Sequence, residues 1–144
     1  PLSKTIFPYI SNKSKEYRQI FFKKFIGFIA LINIFMFGIL FYFSSEILEL
    51  IFNISNDTAN IIFKILIISA YFTFLNINLT PFIYANKQDK FLSKLLIYLG
   101  ILFIPICYLF SRHYLAIGTS VSILIVEIII SYIFNMLTII FIFI

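Results

Sequence analysis

The chain has 144 residues, of which 62% are apolar, 20% aromatic and only 12% charged, and its mean hydropathy is +1.06. A soluble domain is roughly 45–50% apolar and about 25% charged, and a small one leaves much of its surface in water. This composition excludes an ordinary soluble enzyme, a disordered chain, a coiled coil and a disulfide scaffold. It predicts an integral membrane protein or a piece of one. The net charge of +5 does not indicate nucleic acid, because the cations flank apolar segments and membrane topology explains them.

Four segments are long and apolar enough to cross a bilayer as helices. About 20 apolar helical residues span the roughly 30 Å hydrocarbon layer. Runs such as Ile128–Ile130 lack the alternation that a barrel strand would show, so we predict an all-α polytopic membrane protein. The predicted segments are a cytoplasmic loop with an interfacial lead-in (1–24), a first span (25–44), an external acidic loop (45–60), a second span (61–85), a cytoplasmic basic loop (86–90), a third span (91–111), an external loop (112–116), a fourth span (117–140) and the C-terminal end (141–144).

The basic residues predict the orientation of these spans. From the N-terminus onward the segments between spans hold six, zero, three and one Lys or Arg, with Lys94 counted in the third group. Cytoplasmic loops are the ones enriched in Lys and Arg. We therefore expect both termini in the cytoplasm and 45–60 outside. Within 45–60 the motif EILELIFNI predicts a helix end lying in the outer interface.

Polar side chains recur along one face of the second and fourth predicted spans. At 100° per residue, the polar positions of the fourth span fall within roughly 80° of arc. Such faces should point toward protein or water, because polar groups are costly in hydrocarbon. The two stripes are Ser69, Thr73, Asn76, Thr80 and Tyr84 on the second span, and Ser120, Glu127, Ser131, Asn135 and Thr138 on the fourth.

Glu127 is the most informative of these residues. It follows Gly118 by nine residues, which places it roughly 13 Å into a layer about 30 Å thick. One interpretation is a proton-linked or substrate-contacting group that lines a cavity. The alternative is a neutral carboxyl hydrogen-bonded to a neighbouring helix.

Other candidate residues carry weaker signals. Lys87 and Lys90, at the predicted inner face, are candidate contacts for a phosphate headgroup, although topology alone also accounts for cations there. We predict no catalytic set, no metal site and no cofactor, since the chain has one Cys and one His. The candidate substrate or ion pathway consists of Glu127, Ser131, Asn135, Asn76 and Thr73.

Several motifs and their order resemble a known transporter family. FPYIS at Phe7–Ser11 precedes a Lys-rich stretch and an apolar helix, ANKQDKF forms a basic turn at Ala85–Phe91, and AIGTSVSILIVE opens the last helix at Ala116–Glu127. This order resembles the C-terminal third of the O-antigen flippases of the Wzx type. They belong to the polysaccharide biosynthesis branch of the multidrug/oligosaccharidyl-lipid/polysaccharide exporter superfamily. The resemblance runs from Phe7 to about Asn135.

The resemblance implies a fold, a substrate and a location. The family has twelve membrane helices in two lobes with cytoplasmic termini, and this chain would match helices nine to twelve. Its members move undecaprenyl-pyrophosphate-linked sugar repeat units across the bacterial inner membrane by alternating access, with suggested ion or proton coupling. The implied partners are the lipid bilayer, the lipid-linked oligosaccharide and the missing N-terminal helices. Because the chain starts at Pro1 and lacks the first eight helices, we expect a fragment.

Three alternatives remain open from sequence. A piece of an O-antigen polymerase, a membrane enzyme, would need a sizeable outer loop with catalytic polar residues, whereas the longest outer loop here has 16 residues and only acidic charges. The others are a piece of a multidrug exporter of the same superfamily and a small standalone membrane subunit.

Overall fold

A computed structural model describes residues 14–85 and 89–143. Within these two ranges the chain is helical and has no strand, which confirms the all-α prediction for them. Lys87 and the ends of the chain, on which some of our predictions fall, lie outside the described residues. The helices are α1 (Lys15–Tyr42), α2 (Ser44–Phe52), α3 (Asp57–Ala85) and α4 (Asp89–Phe143).

Three of the described helices are long and apolar enough to cross a membrane. The qualifying stretches are Ile20–Tyr42 in α1, Asp57–Pro81 in α3 and Lys90–Ile140 in α4. The stretch in α4 contains both the third and the fourth predicted span. At 1.5 Å per residue its 51 residues would measure about 77 Å if straight, more than twice the hydrocarbon thickness.

Helix α4 is not straight, because the chain reverses at Leu115. That residue has φ 52° and ψ −131°, outside the helical region. A Cβ on Gly118 would collide with the backbone carbonyl of Phe110, although eight helical residues should separate the two by about 12 Å. The reversal divides α4 into a first arm (89–114) and a second arm (116–143). We predicted a loop over 112–116, but the helix continues to Tyr114 and a single residue makes the turn.

The two arms of α4 lie antiparallel against each other. Leu96 and Leu99 of the first arm line one groove together with Glu127 and Ile130 of the second arm. Residues early in one arm therefore lie opposite residues late in the other, as in a helical hairpin.

The segment that we predicted as an external acidic loop contains α2. Only Phe43 separates α1 from α2, and α2 ends where Asn53 adopts a left-handed conformation with φ 54°. The N–H of Ile54 then donates to the carbonyl of Leu48 at 3.3 Å, and the N–H of Asn53 donates to the carbonyl of Glu49 at 3.0 Å, so both carbonyls near the helix end have a partner. Asn is one of the few non-glycine residues that tolerate this conformation.

Helix α3 lies between α1 and the α4 hairpin. On the α1 side, the ring of Phe37 contacts Tyr71 and Phe74 edge-on, with centroid distances of 5.9 and 6.3 Å. On the other side, α3 shares a core with both arms of α4. Much of the remaining large apolar side chain surface is exposed, as lipid contact would require. The core cluster consists of Phe22 from α1, Leu79 and Ile83 from α3, and Leu92 and Phe134 from α4.

Candidate functional site

The two polar stripes meet at one interhelical hydrogen bond. Asn76 Nδ2 on α3 donates to Glu127 Oε2 on the second arm of α4 at 3.0 Å. The helices run parallel here, because Ile83 and Phe134, which lie two turns beyond Asn76 and Glu127 respectively, belong to one core cluster. Both pairs are offset by the same 51 positions in sequence. The structure thus brings two of the predicted pathway residues into direct contact.

The same register aligns other polar positions of the stripes. Ser69 stands at the level of Ser120, and Thr80 at the level of Ser131, when the offset of the Asn76–Glu127 pair is applied. Ser69, Ser120 and Ser131 are buried, as expected for small residues where two helices approach closely. The buried part of the stripes therefore lies toward the α3–α4 interface, whereas Tyr84, at the end of the first stripe, is exposed.

Half of the ten polar side chains of the stripes bond to a carbonyl of their own helix. Thr73 Oγ1 donates to the carbonyl of Ser69 at 3.1 Å, and Asn135 Nδ2 donates to the carbonyl of Ser131 at 2.8 Å. This back-bonding satisfies the side chain without a partner on another helix. Among the predicted pathway residues, Thr73 thus uses its one side-chain donor within its own helix, and Asn135 uses one of its two N–H donors in the same way. Thr80 and Thr138 bond to their own helices in the same way.

Glu127 also lines an apolar groove between the two arms of α4. The groove has a volume of about 290 Å³, and Glu127 is its one ionisable lining residue. A Cβ added to Gly100 would meet open space there. Glu127 is therefore half-buried, bonds to Asn76 on another helix and borders a groove lined otherwise by apolar residues and Gly100.

Two buried asparagines have unused hydrogen-bonding capacity. Asn76 Oδ1 has no partner, although the residue is 5% exposed. Asn33 on α1 is 0% exposed, and neither its Oδ1 nor its Nδ2 has a partner. An unsatisfied buried polar group costs about 1–3 kcal/mol, so both are unusual. Asn33 lies one turn before Phe37, on the α1 side of α3, and so does not share the α3–α4 interface with Glu127.

The remaining predicted residues lie away from this pair. Lys90 is exposed at the start of α4. Lys64, in the first part of α3, places its Nζ 5.3 Å from the centre of the Phe41 ring at the end of α1. Among the described residues, no group of three or more His, Cys, Asp and Glu side chains could hold a metal ion.

Sequence reasoning missed three features of this region. Asn78 and Ser122 are buried but lie off the two stripes, and each bonds to a carbonyl four residues earlier. The groove beside Glu127 was also missed, since it depends on how the arms of α4 pack. A helical-wheel search for polar residues outside the main stripe would have found the first two.

Comparisons of the chain with protein-family models, with curated proteins and with solved structures find no match.

Proposed function

We propose that the chain forms part of a flippase that moves undecaprenyl-pyrophosphate-linked O-antigen repeat units across the bacterial inner membrane by alternating access. The motif order from Phe7 to about Asn135 supports the substrate class. Three long apolar helices support a membrane location. The proposed assembly includes eight further helices that this chain does not contain.

The contact between Asn76 and Glu127 is the structural feature that most directly supports this proposal. An acid placed within a candidate membrane span is costly, and such residues mark substrate or ion pathways in transporters. Glu127 accepts a hydrogen bond from a different helix and also lines an open groove. A residue that bonds to a second helix and also lines a cavity can couple the binding of substrate or an ion in that cavity to a relative movement of the two helices.

The proposed topology has four crossings, with both termini in the cytoplasm. The reversal at Leu115 supports it, because each arm of α4 is then long enough for one crossing. The acidic segment 45–60 and Arg112 lie outside in this arrangement, and Lys90 lies inside. The distribution of Lys and Arg along the chain supports that assignment.

Complementation of a flippase-null bacterium tests the function. The full-length parent of this chain should restore O-antigen display at the cell surface, and failure to do so would refute the proposal. The variant Glu127→Gln should reach the membrane in normal amounts yet restore little display. Glu49→Gln, the same exchange at an exposed position of α2, is the matched control and should behave as the parent does.

A further inference from the structure

Helix α2 presents three different surfaces around its axis. At 100° per residue, one side holds the buried residues Ser44 and Leu48. A second sector holds the exposed acids Glu46 and Glu49. The third sector holds Ile47, Leu50 and Ile51, which have the i, i+3, i+4 spacing of an apolar face. Ile54 lies beyond the helix end and lines a groove with Leu48 and Asn60.

Two of the three residues of the apolar sector have little cover within the described part of the chain. Ile47 is half-buried, whereas Leu50 is 88% exposed and Ile51 is 64% exposed. A nine-residue helix with a leucine exposed to this extent would be unfavourable in water, because burial of one such side chain is worth roughly 1.5–3 kcal/mol.

Hydrogen bonds to α3 hold α2 in one orientation. Ser44 Oγ donates to Asn60 Oδ1 at 2.8 Å, and Asn60 Nδ2 donates to Ser45 Oγ at 2.8 Å. One asparagine side chain therefore bonds two successive residues at the start of α2. This clamp prevents the helix from rotating its apolar sector toward α3, so the sector points away from the protein.

The apolar sector continues a surface that already belongs to a candidate span. Tyr42 ends α1 and is exposed, and its ring contacts Phe43 at a centroid distance of 5.0 Å. Tyrosine at the end of a span is typical of the membrane–water interface. Since only Phe43 separates the helices, α2 begins at that depth, and its nine residues measure about 13 Å along the helix axis.

We infer that α2 is an interfacial anchor whose apolar sector inserts into the headgroup–acyl boundary of the outer leaflet, with its acidic sector in water. The partner is the bilayer, because the apolar sector is continuous with the exposed end of α1 and the acidic sector faces another direction. Segment 45–60 holds three acids and no Lys or Arg, so apolar insertion rather than attraction to anionic lipid supplies the binding. The inference rests on the proposed membrane placement and is independent of the transported substrate.

The chain contains no tryptophan, so single tryptophans report directly on this arrangement. Leu50→Trp is compared with Glu49→Trp, its neighbour in the acidic sector, in the full chain reconstituted into phosphatidylcholine vesicles. Bromines on the lipid acyl chains should quench most of the Leu50→Trp emission, which should also be blue-shifted. Aqueous iodide should quench Glu49→Trp instead. Unchanged far-UV circular dichroism checks the fold, and Ile51→Trp replaces Leu50→Trp if that variant misfolds.

Leu102→Trp, at an exposed position in the first arm of α4, distinguishes failure of the anchor from failure of the membrane placement. If brominated lipid quenches Leu102→Trp but not Leu50→Trp, the anchor is refuted while the membrane placement stands. If neither is quenched, the membrane placement fails and the anchor fails with it. Protection of Leu50→Trp from both quenchers would mean that protein covers the sector, which also refutes the inference.

Discussion

Asn76 and Glu127 lie 51 residues apart in sequence, yet the amide Nδ2 of one donates to the carboxyl Oε2 of the other at 3.0 Å. The bond joins α3 to the second arm of α4 within two of the described helices that are suited to cross a membrane. This contact bears on both stability and the proposed transport, since Glu127 also lines the groove between the α4 arms.

A double-mutant cycle measures this contact. Asn76→Leu and Glu127→Leu should each lower the free energy of unfolding, because each leaves a buried polar group without its partner, at a cost of about 1–3 kcal/mol. The double variant should lose less than the sum, with a coupling energy of about 1 kcal/mol. Unfolding by sodium dodecyl sulfate in mixed micelles provides the measurement. Additive losses would show that the two side chains do not interact.

Gly118 should resist substitution because the α4 hairpin is tightest there. Gly118→Ala places a Cβ against the backbone carbonyl of Phe110, which cannot move away as a side chain can. We expect a loss of about 1–3 kcal/mol in the free energy of unfolding. The matched control is Gly100→Ala, where the added Cβ meets open space and the helix gains up to about 1 kcal/mol. Equal effects in the same micelle assay would contradict the hairpin geometry.

Leu115 should gain stability when replaced by glycine. Its φ of 52° with ψ −131° is strained for a residue with a Cβ, and glycine adopts it freely. Leu115→Gly should raise the free energy of unfolding by about 1 kcal/mol, since the leucine side chain is exposed. Leu109→Gly, at an exposed leucine inside the first arm, should instead lower it by about 1 kcal/mol. A loss in both variants would mean that Leu115 has ordinary helical backbone.

Asn60 should control the order of α2. Asn60→Ala removes both bonds of the clamp and leaves the buried Ser44 hydroxyl without its acceptor. Amide hydrogen exchange in 44–52 should then accelerate while exchange in the core of α3 stays unchanged. Asn60→Asp keeps an acceptor for Ser44 and should have a smaller effect. Identical exchange in all three proteins would show that the clamp does not hold α2.

Cysteine accessibility tests the proposed four crossings. In a Cys107→Ser background, Glu49→Cys and Arg112→Cys should react with a membrane-impermeant maleimide added outside, and Lys90→Cys should react only after the membrane is permeabilised. All three positions are exposed. Labelling of Arg112→Cys and Lys90→Cys from the same side would mean that the first arm of α4 does not cross.

The residue pattern alone predicts that the chain is helical and which polar residues lie on the same face of a helix. Apolar runs without alternation exclude lipid-facing strands, and a period of 3.6 residues assigns Asn76 and Glu127 to polar stripes. The prediction that such stripes face protein needs only the cost of polar groups in hydrocarbon. The helix in 44–52 was also expected, because its apolar residues recur at helical spacing.

How these helix faces contact each other is visible only in the three-dimensional structure. Periodicity assigns a residue to a face but contains no information about the neighbouring helix or the offset between the two, so the pairing of Asn76 with Glu127 could not be read from it. The sequence predicts a connection within 112–116 but not that Leu115 makes the reversal, because leucine rarely adopts positive φ. The direction of the apolar sector of α2 likewise depends on Asn60, a residue beyond that helix, since a single helix cannot determine its own rotation.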